Sequence, residues 1–198
     1  MTDQTSFDTA TRIAAGDDGT TYDNVAISLH WLTALLVLTN FALAEIWDYF
    51  SKPTQQWMQS LHISLGVLLA AVIVVRLVWR LLPGHQVSPL EVGWVKRASK
   101  GMHYLLYALL VAAVALGFLL QWSRGHPVSF FGLDIPGPYG RQPRPVRHQI
   151  QELHNYVAWA IIIIAALHAA AALYHHYVLK DRVLSRMFPA ARRSGPAG

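Results

Sequence analysis

The chain has 198 residues, of which 54% are apolar and only 14% charged; its net charge is +5 and it contains no cysteine. A soluble domain carries roughly 25% charged residues, so an ordinary water-soluble fold is excluded. The missing thiols exclude disulfides, iron–sulfur clusters and thiolate-ligated haem.

Residues 1–24 are polar, with five aspartates against the single Arg12. They lack the basic-then-apolar order of a signal peptide, so the first apolar run is expected to be retained and the tail to be disordered. Four runs free of Lys, Arg, Asp and Glu follow, at 24–44, 53–75, 101–123 and 153–179. Each is long enough to cross a bilayer as a helix, which takes about 20 apolar residues. The expected architecture is an all-α, integral membrane four-helix bundle over 25–180, followed by a basic tail at 181–198.

Four spans place both termini on one side. That side would hold eleven basic residues (Arg12, Arg76, Arg80, Lys96, Arg97, Lys100, Lys180, Arg182, Arg186, Arg192 and Arg193), and the other five (Lys52, Arg124, Arg141, Arg144 and Arg147). The excess of positive charge on that side predicts cytoplasmic termini. The net charge is therefore a matter of topology and no sign of nucleic-acid binding.

The first run carries His30 in ISLHW near its inner end and finishes in an interfacial belt, Glu45 to Tyr49. The second enters at Trp57 and carries His62; Arg76 follows by 14 residues on the same face, and Arg80 continues that face one turn on. The inner loop 83–100 contains His85, read as a surface residue, and GWVKR, read as a short interfacial helix. The third run opens with His103, Tyr104 and Tyr107. The outer segment 124–147 is rich in proline and glycine, which forbids one continuous helix. Its Phe130, Phe131, Leu133 and Ile135 are expected to tuck it against the bundle, with His126 on the surface. The fourth run holds His154, His168, His175 and His176.

An ionisable side chain inside a membrane helix is costly and marks a site by default. His154 and His168 are 14 residues apart, so they share a helix face at heights about 21 Å apart. By depth His62 joins His154 near the outer surface, and His30 joins His168 near the inner one. Two facing imidazoles at each depth suit a six-coordinate b-type haem, giving two haems per chain. Zinc fits poorly, because a structural site takes four ligands and each depth offers two. The bland alternative for any one of these histidines is a hydrogen bond between helices.

His175 prolongs the face of His154 and His168 toward the inner surface, and His103 enters at comparable depth. Both can meet a quinone there or simply face the headgroups. Arg76 and Arg80 can hold inner haem propionates by charge-assisted hydrogen bonds or serve as a basic flank. Arg144 and Arg147 have the same option at the outer haem.

The stretches ISLHW (27–31), LHISLGVLLAAVIVVRLVWR (61–80), RGHPVSFFGLDIP (124–136) and ELHNYVAWAIIIIAALHAAAALYHHYVLKD (152–181) resemble the bacterial cytochrome b561 family of four-helix, di-haem membrane proteins. The resemblance implies haem ligation by His30, His62, His154 and His168. Within the family it is greatest to the superoxide oxidase branch, which implies oxidation of superoxide at the outer face and reduction of ubiquinone. Residues 124–152 hold Arg124, Arg141, Arg144 and Arg147 against Asp134 and Glu152; this positive rim would steer an anion to the outer haem. Two other classes stay open. One is an electron carrier for a periplasmic dehydrogenase or hydrogenase. The other is a haem-free transporter with a histidine relay, for which no internal repeat speaks.

Overall fold

The computed structural model describes residues 23–82, 94–180 and 184. The expectations for the N-terminal tail, for the loop with His85 and for the basic tail after Lys180 fall outside the described residues, apart from Asp23, Asn24 and residue 184. Four long helices make up most of the described chain: α1 (Asn24–Ile46), α2 (Lys52–Leu81), α3 (Trp94–Ser123) and α4 (Arg144–Tyr177). All four are long and apolar enough to cross a membrane. A single 3-10 turn, Trp47–Tyr49, links α1 to α2, and a two-stranded antiparallel hairpin, β1 (Val128–Phe130) and β2 (Leu133–Ile135), lies between α3 and α4.

The helices pack as two antiparallel hairpins, α1 on α2 and α3 on α4, with α2 making a slimmer seam against α3. Their shared core sits at mid-depth and is small: Leu36, Leu69, Val72, Ile73, Leu110 and Ile161. Leu35, Leu38, Val74, Ile163 and Leu167 are exposed. That pattern is the reverse of a soluble bundle and is what lipid-facing helices require, since the acyl chains are as apolar as leucine. At the end of the bundle that carries the hairpin, called outer after the expected topology, Phe41 of α1 meets Trp159 of α4 edge-on, with ring centres 4.9 Å apart.

At the opposite end, called inner on the same expectation, the Asp23 carboxylate accepts from the Ala26 amide at 2.8 Å, an N-cap that satisfies one of the free donors of α1. The same carboxylate accepts from the Trp79 indole at 3.2 Å, fastening the start of α1 to the end of α2. Asp23→Ala should therefore cost about 1–2 kcal/mol of stability, read as a lower Tm of helicity in detergent. Asp23→Asn, which can still cap, should recover most of it; equal losses in both variants would show that the cap contributes nothing.

Three expectations are corrected. GWVKR is no separate interfacial helix: Trp94 opens α3, which runs unbroken to Ser123. Helix α4 begins at Arg144, nine residues before the apolar run, because a proline in the first turn is compatible with a helix start and the sequence after it is polar enough to project into water. Arg144 and Arg147 are thus helical residues, not loop residues. The residues that tuck the outer segment down differ in part: Val128 is 2% exposed and Phe130 is half-buried, whereas Phe131 and Leu133 are 67% and 71% exposed, and Ile135 is exposed too. β1 packs on α2 while β2 is the free edge. The two strands turn at Phe131 and Gly132, both with positive φ, as a tight primed hairpin turn requires.

Candidate functional site

The outer site draws on all four helices, with its two histidines on α2 and α4. The His62 and His154 rings face each other with centres 6.3 Å apart and planes at 77°. The His62 Nδ1–H donates to the backbone carbonyl of Asn40 at 3.0 Å, so the lone pair of its neutral ring is on Nε2. This is the arrangement by which proteins orient an imidazole ligand. His154 Nδ1 is buried without a well-formed hydrogen bond, with the backbone of Ala113 close by. Gly117 of α3 lies against the ring; a Cβ there would sit 3.5 Å from Cε1, an ordinary contact.

Around this pair lies a cavity of about 740 Å³, lined at depth by Val37, Leu69, Leu110 and Ile161 and toward the outer surface by Glu45, Asp48, Gln121, Arg124 and His126. The donor set fits a bis-imidazole metal: two metal–nitrogen bonds of about 2 Å plus the two ring radii give a ring-centre separation of about 6 Å. The apolar depth and polar mouth fit a haem, whose macrocycle is apolar and whose propionates are charged.

The inner cluster is differently arranged. The Arg76 guanidinium donates to His30 Nδ1 at 3.2 Å. Arginine has no acceptor, so the Nδ1 lone pair of His30 is engaged, opposite to the case of His62. Arg76 also lies over the Tyr107 ring, 5.2 Å from its centre. His168 meets His103 edge-on at 5.3 Å, and the Nδ1–H of His103 donates to the Ser99 carbonyl at 2.7 Å. His30, His168 and His103 are all within electrostatic reach of one another. All four helices thus contribute to one inner cluster. The ring nearest His168 is His103, a neighbour that depth reasoning assigned to the quinone.

The remaining candidates separate clearly. Arg80 is exposed while Arg76 turns inward. His175 is half-buried, seven residues beyond His168 and so about 10 Å further along α4; Tyr104 faces out, 64% exposed. Arg124 lies close enough to His154 to act on it electrostatically. Arg124, Arg141 and Arg147 line one outer cavity, whereas Arg144 is exposed and lines neither cavity. His126, expected on the surface, is exposed yet lines both outer cavities.

Four residues escaped sequence reasoning as parts of this site. Asn40 is buried with both polar side-chain atoms unpaired, and it lines the outer cavity beside His62; an amide amid the apolar LTALLVLTNFALA was the available signal. Glu45 and Asp48 stand on the same mouth as Arg124, so the rim holds acids as well as bases. Ser64 is buried on α2 and binds the hairpin twice, donating to the Ser129 carbonyl and accepting from the Phe131 amide.

A profile of the family described as Prokaryotic cytochrome b561 matches residues 21–190. The chain belongs to the prokaryotic cytochrome b561 family. It is 31% identical over 171 residues to Cytochrome b561 homolog 2 of Escherichia coli (strain K12), covering 84% of this chain and 90% of that protein. It is 30% identical to the Probable superoxide oxidase CybB of Yersinia pestis, covering 86% and 97% respectively. Similarity also extends to Cytochrome b562 of Cereibacter sphaeroides, at 30% identity over 84% of this chain and 94% of that one. Membership makes the chain a multi-pass inner-membrane electron-transfer protein that binds b-type haem. The four-helix fold agrees with that assignment.

Proposed function

We propose that this b561 protein is a di-haem oxidoreductase, with both termini cytoplasmic, that oxidises superoxide at the periplasmic face and reduces ubiquinone toward the cytoplasmic one. The observation that carries the reading is the outer cavity: the facing pair His62 and His154 lies beneath a mouth at which Arg124 is half-buried. The relative described as a probable superoxide oxidase supports the choice of substrate.

Haem b supplies one-electron transfer at each level when bound; His62 with His154 would hold it outside, and His30 with His168 would hold it inside once the bond from Arg76 to His30 Nδ1 is given up. Two superoxide anions would each give up one electron and leave as dioxygen; one ubiquinone would take up both electrons and two protons to become ubiquinol. Superoxide is a small anion, so the chain's task at the mouth is to attract it and to need no covalent contact. Arg124, Arg141 and Arg147 do this through their field. Arg124 is the most constrained of them: burial first and the neighbouring Arg147 second lower its pKa, and its guanidinium donates to Gln151 at 3.1 Å. At the inner end His175 offers an imidazole N–H to a quinone carbonyl, His103, whose Nδ1–H is held by Ser99, offers Nε2 as an acceptor for a quinol hydroxyl, and Arg76 supplies positive charge beside His30.

Stopped-flow mixing of superoxide with the haem-loaded protein and a soluble ubiquinone tests this directly. Quinone reduction should accelerate in proportion to protein concentration. An unaccelerated rate with both haems bound would leave the carrier role, in which a periplasmic dehydrogenase or hydrogenase supplies the electrons. One observation favours that second reading: the hairpin tip, Phe131 and Leu133, is apolar and exposed beside the mouth.

A further inference from the structure

Next to the outer haem cavity lies a second cavity of about 790 Å³, walled by Trp122, Arg124, Tyr139, Arg141 and Arg147. Its frame is tightly specified. Helix α3 ends in a Schellman cap, with the Gly125 amide donating to Trp122 and the His126 amide to Gln121. Gly125 takes φ +79°, and a Cβ on it would come within 3.2 Å of Arg141 Cβ. On the far side Gly137 is pressed against Trp122 so closely that a Cβ would lie 2.7 Å from the indole. The Trp122 indole donates to the Ile135 carbonyl, and the Gln142 amide to the Ser123 carbonyl at 2.8 Å, which closes the segment on itself.

The contents of this frame are unbalanced. Arg147 Nε is buried and has no hydrogen-bond partner. Arg124 and Arg147 are close enough to repel. Among the described residues no carboxylate pairs with either: the one ion pair joins His148 to Glu152, and Asp134 is taken up by Ser129. Each guanidinium carries a planar fork of N–H donors that binds carboxylate or phosphate oxygens in pairs, and Arg124 and Arg147 line the same cavity.

We propose that this cavity is an oxyanion site, taking a carboxylate or phosphate group between Arg124 and Arg147, with Arg141 and Tyr139 at its edge. Two sources carry that chemistry. One is a propionate of the outer haem, since Arg124 lines both cavities; this source rests on the di-haem reading above. The other is a soluble periplasmic anion. Superoxide alone leaves such a volume largely empty.

Resonance Raman spectra and phosphate titration of the purified protein separate the cases. If a propionate occupies the site, the propionate-bending band moves in Arg147→Gln and Arg124→Gln but stays in place in Arg144→Gln, whose side chain is outside the cavity. If a soluble anion occupies it, that band is fixed, and calorimetric titration with inorganic phosphate shows binding that weakens about tenfold or more in Arg147→Gln. Arg147→Lys, which keeps the charge and loses the fork, should fall between wild type and Arg147→Gln in whichever assay responds. A fixed band together with no phosphate binding in the wild type overturns the site. A protein without a Soret band would instead refute the haem reading, and the phosphate titration would still decide the site.

Discussion

His62→Ala and His154→Ala should each remove one haem per chain and leave the other, halving the haem-to-protein ratio measured by pyridine haemochrome. The expectation follows from geometry. The two rings lie 6.3 Å apart, and His62 Nε2 is left available by the bond from Nδ1–H to the Asn40 carbonyl. Among the described residues no other histidine stands in ring contact with that pair, and His126, which lines the same cavity, is exposed at its mouth. The inner cluster should behave differently. His168 touches His103, which can take over as a ligand, so His168→Ala should retain part of its haem with an altered spectrum, and adding His103→Ala should abolish it. Full retention of both haems in His62→Ala would show that the outer pairing is wrong.

The second large effect concerns charge at the mouth. Arg124→Glu with Arg147→Glu changes the local charge by four units, and electrostatic focusing typically changes on-rates by about 10–1,000-fold. The superoxide rate should drop by at least about tenfold at low salt, and its salt dependence should flatten or invert. The tertiary structure adds a prediction of opposite sign. Glu45 and Asp48 stand on the same rim, so Glu45→Gln with Asp48→Asn should accelerate the reaction at low salt and lose that advantage at high salt, where charges more than about 8–10 Å apart are screened. A rate indifferent to both sets of changes would mean that the mouth does not steer.

These predictions also show how far a one-dimensional reading reaches. Heights were legible. A helix rises a fixed distance per residue, so the 14-residue step from His154 to His168 and the lengths of the apolar runs placed each histidine near one membrane surface or the other. The spans, the family and the lipid-facing character of the helices were accessible by the same logic. Contacts between helices were less so, because the depth of a residue does not fix the rotation of its helix about the axis. That His103 would lie nearest His168, or that Arg76 would engage His30 Nδ1, depends on how α2 and α3 turn toward the bundle.

The outer segment marks the clearest division. Gly125 and the prolines announced a break, and composition announced positive charge. The direction in which the hairpin folds, with Val128 inward and Phe131 outward, is decided by its packing on α2 and by the two hydrogen bonds of Ser64. The same packing gathers Arg124, Arg141 and Arg147 into one cavity and leaves Arg144 outside it. The sequence by itself determined a four-span protein with imidazoles at two depths, because periodicity and hydropathy act along one chain axis. Only the tertiary structure decided which charges share a mouth, which carbonyl orients His62 and which rings meet, because those depend on side chains brought together from separate helices.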